Sequence, residues 1–252
     1  MLCRCGALLA SVCFDVSTQQ ELQTSGAVGD PHLRGPHGEH FDFYGQPNGI
    51  YALFSTPQFA VNMHLMNNGP KARFMDEIGV VFRNATLRFN THAFKPAKLQ
   101  QQLDAQLAPL GGSAVVTPSN IELELCDGHR VHIQQRFTVL WQRANSTVFY
   151  THKASNRRPV KFFHLDVEVE VPGCHDAFDG ALGQTYQCKY NAQPFRFDHA
   201  QEESFRVDSL ASPSGAFARN APCHEQHVYA GQAPMSGGSM DSTAAAAGRQ
   251  QL

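Results

Sequence analysis

The sequence predicts an all-β protein, mainly an antiparallel β-sandwich-like domain with at most one or two short helices and a disordered C-terminal tail. Many short runs of alternating or β-rich residues follow residue 39, and this spacing is typical of sandwiches. Turn-forming residues separate the runs, as in a series of hairpins. The clearest strand is 162–171, where Leu165, Val167 and Val169 alternate with acidic residues, so that one face is expected to be buried.

The remaining elements follow from the same patterns. Strands are predicted at residues 50–54, 59–65, 78–82, 86–89, 121–125, 131–133, 137–141, 147–150 and 162–171. The dipeptide Asp127-Gly128 is a strong hairpin signal. Residues 96–110 are rich in Lys, Gln, Leu and Ala and end at two glycines, which predicts one short helix.

Four segments are expected along the chain. They are a segment with the features of a secretory signal (1–14), a polar leader (15–27), the β domain (28–210) and a low-complexity tail rich in Ser, Gly, Ala and Pro (211–252). The first segment has one positive residue, Arg4, before an apolar stretch. A truncated start is the alternative explanation of so short a signal.

Composition restricts the classes of partner. The formal charge of the 252 residues is −2, which argues against nucleic acid or an anionic membrane surface. No apolar run approaches the ~20 residues that cross a bilayer, so no membrane span is predicted. The expected partners are an extracellular protein or polysaccharide.

The cysteines and two glycosylation sequons favour an extracellular location. The chain has seven cysteines. The last four fit two disulfides, and these four cysteines are Cys126, Cys174, Cys188 and Cys223. These four cysteines can pair in three ways, and sequence does not choose between them. The alternative is that some of them are buried free thiols. A bond between Cys174 and Cys188 would enclose residues 180–184 in a local loop. The sequons begin at Asn84 and Asn145.

The most informative stretch is Gly29-Asp30-Pro31-His32. The carboxylate of Asp30 can attack its own carbonyl carbon, because the nitrogen of Pro31 carries no hydrogen and leaves readily once protonated. The imidazole of His32 can move that proton. A turn that leads into a strand is the alternative role, since the same residues suit a turn.

This stretch resembles the opening of von Willebrand factor type D-like domains, where Gly-Asp-Pro-His leads into Phe-Asp-Gly and Tyr-Asp-Phe-x-Gly. The matching residues here are 29–32, Gly38, 41–43 and Gly45. Residues 179–186 resemble the Gly-Leu-Leu-Gly-Gln element of the related regions of inter-alpha-trypsin inhibitor heavy chains, and still more the variant in root-cap-like plant and algal secreted proteins. Because several relatives cleave their own Asp-Pro bond, the resemblance implies Asp30 as the attacking group and His32 as proton shuttle.

The chain departs from the family at its calcium ligands. His37 stands where the Phe-Asp-Gly aspartate is expected, and Pro47 lies near the place of a cysteine. Asp176 and Asp179 are the nearby carboxylates around the second motif. Since calcium takes six to eight oxygen ligands, these residues do not support a calcium site, and we predict no cofactor.

Other groups of histidines and carboxylates that could suggest a metal or catalytic site are better explained as ordinary surface residues. His32, His37 and His40 do not have the spacing of a zinc site. The chain has no Gly-x-Ser-x-Gly elbow and no cysteine in a protease context. Asp166, Glu168 and Glu170 form a polar strand face rather than a carboxylate pair.

Two functions follow as expectations, and a third is disfavoured. The first is a secreted binding or structural module of an extracellular matrix or wall. The second is a protein that processes itself by cleaving the Asp30–Pro31 bond. An unrelated hydrolase lacks a nucleophile, and the cations at Arg157, Arg158 and Lys161 are too dispersed to cradle a phosphate.

Overall fold

Antiparallel strands dominate the computed structural model, which describes residues 22–29, 31–66, 73–92, 94–125, 128–144, 146, 149–150 and 153–213. In chain order the strands are β1 (Leu22–Val28), β2 (His32–Arg34), β3 (His40–Asp42), β4 (Ile50–Ser55), β5 (Phe59–Leu65), β6 (Met75–Phe82), β7 (Ala85–Asn90), β8 (Ser113–Val116), β9 (Asn120–Glu124), β10 (Arg130–Arg143), β11 (Phe149–Tyr150) and β12 (Arg157–Pro172). The helical elements are α1 (Pro96–Leu107) and the short 3-10 segments Ala108–Leu110, Gly183–Tyr186, Cys188–Asn191 and His199–Phe205.

The strands form two antiparallel sheets over a shared core. The large sheet has the order β3-β2-β1-β12-β10-β9-β8, with β11 paired to β10, and the small sheet is the meander β4-β5-β6-β7. Buried side chains from both sheets, such as Val167 in the large sheet and Val80 in the small one, belong to a single hydrophobic cluster. The predicted all-β class is therefore confirmed.

Strand β12 lies near the middle of the large sheet, and its alternation was predicted correctly. The apolar side chains that are fully buried on one face are Leu165, Val167, Val169 and Val171. On the opposite face Glu168 is exposed, as a polar strand face requires. Asp166 differs, because it is buried on that same face.

Strands β10 and β12 form a long two-stranded ribbon. They pair without interruption from Arg130 opposite Glu170 to Arg143 opposite Arg157. The predicted strands 131–133 and 137–141 are therefore one strand, because β12 supplies a continuous partner. Strand β9 pairs only with the near end of β10, up to Gln134, and β1 pairs with β12 only as far as Val167. The far half of the ribbon therefore extends beyond β1 and β9, and the two-residue strand β11 pairs with it there.

The predicted helix is confirmed. Pro96 occupies the first turn of α1, where its missing N–H costs nothing, and Leu103 and Leu107 are the buried residues of the helix. The helical region continues through the 3-10 segment Ala108–Leu110 and ends at Gly111. The φ of Gly111 is +78°, a left-handed conformation that favours glycine.

The β domain begins earlier than the sequence indicated. Residues 22–27 of the expected leader belong to β1, which pairs with β12. The small residues Ser25, Gly26 and Ala27 are buried there, and they gave no alternating pattern. The expected signal segment and residues 214–252 of the expected tail lie outside the described residues. Within the described part of the chain, no helix has the length and apolar character needed to cross a membrane.

Candidate functional site

The Gly-Asp-Pro-His motif forms the connection between β1 and β2 at one side of the large sheet. Val28 pairs with His32, so three residues make the turn. Gly29 has φ +67°, a conformation that other residues adopt only at a cost. Asp30 lies outside the described residues, and the structure places its two neighbours.

The carboxylate of Asp166 holds the first residue of this turn. The backbone N–H of Gly29 donates to Oδ1 of Asp166 at 2.9 Å. The other carboxylate oxygen, Oδ2, forms an ion pair with Nε of Arg136 at 3.3 Å, and only 9% of the Asp166 side chain is exposed. A buried carboxylate requires such partners, so Asp166 ties the motif to the centre of the large sheet.

His164 lies next to this carboxylate and completes the polar group. Its Nε2 is 3.4 Å from Oδ1 of Asp166. Burial lowers the pKa of His164, and Arg136 lowers it further, while the charge of Asp166 opposes both effects. His164 is therefore neutral near pH ~7, which leaves Arg136 as the cation that balances Asp166.

The second half of the turn is held by β3. The carbonyl oxygen of Pro31 accepts the N–H of Phe43 at 3.0 Å. His32 lies directly opposite Asp42, and its Nδ1 donates to Oδ1 of Asp42 at 2.6 Å. Both side chains are largely exposed. A carboxylate that binds one ring nitrogen fixes the orientation of the imidazole.

A cavity of about 300 Å³ opens on the outer face of the large sheet beside the turn. Val28, Arg136, Asp166 and Glu168 are among its lining residues. Solvent therefore reaches the polar group that holds Gly29.

His37 and His40 are the other histidines of the first motif. His37 and His40 are exposed, and the N–H of His37 donates to Oε2 of Glu39 at 2.9 Å. Among the residues that the structure describes, no three His, Cys, Asp or Glu side chains are placed to hold a metal ion.

The second motif packs against the edge strand β4 of the small sheet. Ser55 and Asp179 exchange two backbone hydrogen bonds, at 2.8 and 3.1 Å. Gly180 has φ +93°, and a Cβ there would lie 2.8 Å from the carbonyl carbon of Leu53. Only glycine fits this close approach. Tyr186 is fully buried, and its hydroxyl donates to the carbonyl oxygen of Val169 at 3.2 Å.

The two motifs belong to the same core. Leu33 and Phe43 from the first motif and Leu182 and Tyr186 from the second are members of one hydrophobic cluster. Comparison of the chain with models of known protein families and with curated proteins finds no match. The kinship with von Willebrand type D-like domains therefore remains a prediction based on the motifs.

One of the open cysteine pairings occurs in the structure. Cys174 and Cys188 form a disulfide across a separation of 14 residues, with their Cα atoms 5.0 Å apart. The bond encloses the second motif, as that pairing required. Cys126 and Cys223 lie outside the described residues.

The structure describes the asparagine of one of the two glycosylation sequons. Asn84 is exposed in the turn between β6 and β7, where a glycan can be accommodated. Asn145 lies outside the described residues.

A further carboxylate near the first motif has no signal in the sequence. Glu202 is buried and accepts the backbone N–H groups of Tyr44 and Gly45 at 3.2 and 2.8 Å. Nδ1 of His199 also donates to it, at 2.8 Å. The segment that contains Glu202 covers the aromatic residues of the motif, since Phe197 stacks on Phe41 with ring centroids 4.5 Å apart.

Proposed function

We propose that the chain is a secreted module of an extracellular matrix or wall, where it serves as a binding or structural component. The Cys174–Cys188 disulfide supports the proposal, because disulfides persist in oxidising compartments. The exposed sequon at Asn84 points to the same location.

The observation that carries the binding role is apolar surface on the far half of the β10–β12 ribbon. Phe137, Val139 and Phe163 are 59%, 40% and 43% exposed. Phe137 and Phe163 lie directly opposite each other, with ring centroids 6.3 Å apart. Exposed aromatic residues that group together are typical of interaction sites.

Retention on insoluble matrix or wall material tests the binding role. We expect the intact chain to sediment with this material and the double variant Phe137→Ser/Phe163→Ser to remain in solution. Val115→Ser is the matched control, because Val115 is 56% exposed on β8, away from the ribbon. Equal retention of all three proteins would contradict the binding role.

Expression of the intact chain in a secreting eukaryotic cell tests the location. We expect the protein in the medium or matrix, with a mass that falls on enzymatic removal of N-glycans. Asn84→Gln should remove part of that mass difference. A chain that stays in the cytosol with Cys174 and Cys188 reduced would contradict an extracellular role.

Self-processing at Asp30–Pro31 is the second candidate function. It is favoured because both neighbours of Asp30 are fixed, Gly29 by Asp166 and Pro31 by the N–H of Phe43. A peptide bond whose flanking residues are held loses less entropy on reaching a reactive geometry.

The proposed step is an acyl transfer within Asp30. A carboxylate oxygen of Asp30 adds to its own carbonyl carbon, and the bond from that carbon to the nitrogen of Pro31 breaks. The nitrogen takes a proton from the imidazolium of His32, and one water then hydrolyses the cyclic anhydride. The products are a chain that ends at Asp30 and one that begins at Pro31.

Intact mass after incubation at about pH 5 to 6 tests this second candidate. We expect a fragment that begins at Pro31, its absence in Asp30→Asn, and slower release in Asp166→Ala. Glu168→Ala is the matched control, since Glu168 lies two residues along the same strand and is exposed. An uncleaved chain after several days would exclude self-processing and leave the binding role untouched.

A further inference from the structure

The far half of the β10–β12 ribbon concentrates positive charge. Between Gln135 and Leu165 the sequence has six Lys or Arg residues and no Asp or Glu, although the whole chain has a formal charge of −2. The ribbon therefore differs strongly in charge from the rest of the protein.

One face of the ribbon combines three of these cations with aromatic rings. Alternate residues on a strand share a face, and residues directly opposite across an antiparallel pair do so as well. By the pairing of β10 with β12, this ribbon face contains Phe137, Val139, Trp141, Arg143, Arg157, Pro159, Lys161 and Phe163.

Two guanidinium groups occupy the far end of the ribbon face. Arg143 lies directly opposite Arg157, and like charges in this position are unfavourable. The ring of Tyr150 offsets part of the repulsion, because the guanidinium carbons of Arg157 and Arg143 are 3.5 and 5.8 Å from its centroid. An anion that binds both guanidinium groups would offset the repulsion between them.

A third cation extends the charge towards the body of the protein. Nζ of Lys161 is 5.4 Å from the ring centroid of Phe137. Lys161 and Arg157 are four residues apart on β12, which corresponds to roughly 13 Å along a strand. The positive groups therefore form a row, which suits a linear polyanion better than a single small anion.

We infer that the ribbon face binds a linear sulfated polysaccharide. This inference rests on the binding role proposed above and names its ligand. Guanidinium groups are weakly hydrated and present paired donors that match the oxygens of a tetrahedral anion. A hairpin that inserts into lipid would be apolar at its far end, whereas here Arg143 and Arg157 lie at the ends of the strands and the exposed phenylalanines lie nearer the body.

Binding of the intact chain to dextran sulfate, with neutral dextran of equal length for comparison, tests the inference. Each cation near an anionic surface contributes about fivefold in affinity, so Arg143→Gln/Lys161→Gln should weaken binding about 25-fold. The dependence of affinity on salt should also decrease in this variant, because fewer ionic contacts form. Neutral dextran should not bind.

The matched control is Arg88→Gln/Lys98→Gln. It removes the same charge from exposed positions on β7 and α1, so it should bind dextran sulfate as the unaltered chain does. Thermal unfolding of each variant shows whether its fold is intact. Neutralising Arg143 relieves the repulsion with Arg157 and should not destabilise the ribbon.

Several results would overturn the inference. They are absence of binding to dextran sulfate, equal weakening in both double variants, and stronger binding to polygalacturonate or to phosphatidylserine vesicles than to dextran sulfate. If the intact chain does not bind dextran sulfate but Phe137→Ser/Phe163→Ser still abolishes retention on matrix material, the binding role stands and only the proposed ligand is wrong. If both assays are negative, the binding role fails as well.

Discussion

Replacing Asp166 by Ala should destabilise the domain by about 2 to 3 kcal/mol, because a buried anchor of the β1–β2 turn is lost. A hydrogen bond to a charged group contributes about 1.5 to 3 kcal/mol, and the bond from Gly29 is of this kind at 2.9 Å. The ion pair with Arg136 adds little, because 58% of the arginine side chain is exposed and solvent screens it, so at most about 1 kcal/mol is expected.

Two further variants separate these contributions. Asp166→Asn keeps an oxygen for Gly29 and loses the ion pair, so it should cost only about 1 kcal/mol. Glu168→Ala changes the next polar residue on the same strand face, which is exposed, and should cost less than about 0.5 kcal/mol.

Urea unfolding followed by circular dichroism measures the free energy of unfolding of each protein. The expected order of destabilisation is Asp166→Ala, then Asp166→Asn, then Glu168→Ala. If Asp166→Ala costs no more than Glu168→Ala, the carboxylate does not anchor the turn and the argument from its burial is wrong.

Three further predictions concern other parts of the fold. Gly180→Ala should cost more than about 2 kcal/mol in urea unfolding or prevent folding, because it forces a non-glycine residue to φ +93°. His64→Gln should lower the free energy of unfolding by about 1 kcal/mol below pH ~6.5 and by less at higher pH. A hydrogen bond to Asp76 raises the pKa of His64, so the stability that this bond contributes is lost as pH rises through the raised pKa. An unchanged cost from about pH 5 to 9 would contradict this prediction. Reducing the Cys174–Cys188 bond, which closes a loop of 14 residues, should lower the free energy of unfolding by about 3 kcal/mol, and an unchanged urea midpoint would count against this.

Strands β4 to β7 and β9 to β12 could be predicted because their signals are local, whereas β2, β3 and β8 had no predicted counterpart. Alternation on β12 depends on successive side chains pointing to opposite faces, and the helix stop at Gly111 depends on one residue with a positive φ. Strand β1 could not be predicted in this way. Its buried residues Ser25 and Gly26 are small rather than apolar, and they are buried because β12 lies directly beside them.

The candidate site was predicted in part for a similar reason. The motif residues Pro31 and His32 could be found from their spacing, whereas Asp166 contacts Gly29 across 137 residues of sequence. On the strand pattern alone Asp166 is equivalent to Glu168. Only the pairing of β12 with β1 and β10 places Arg136 and the turn around one carboxylate and not the other.

The formal charge of the chain does not describe the charge of the ribbon face. A charge of −2 for the whole chain is a sum, and electrostatic attraction at contact depends on the groups within about 10 Å of the ligand at ordinary ionic strength. Arg143 and Arg157 lie directly opposite each other, and Lys161 lies roughly 13 Å from Arg157 along β12, while most carboxylates lie on other strands. In the binding proposed above, the net charge therefore affects how the protein approaches an anionic polymer from a distance, and the three cations supply the contacts.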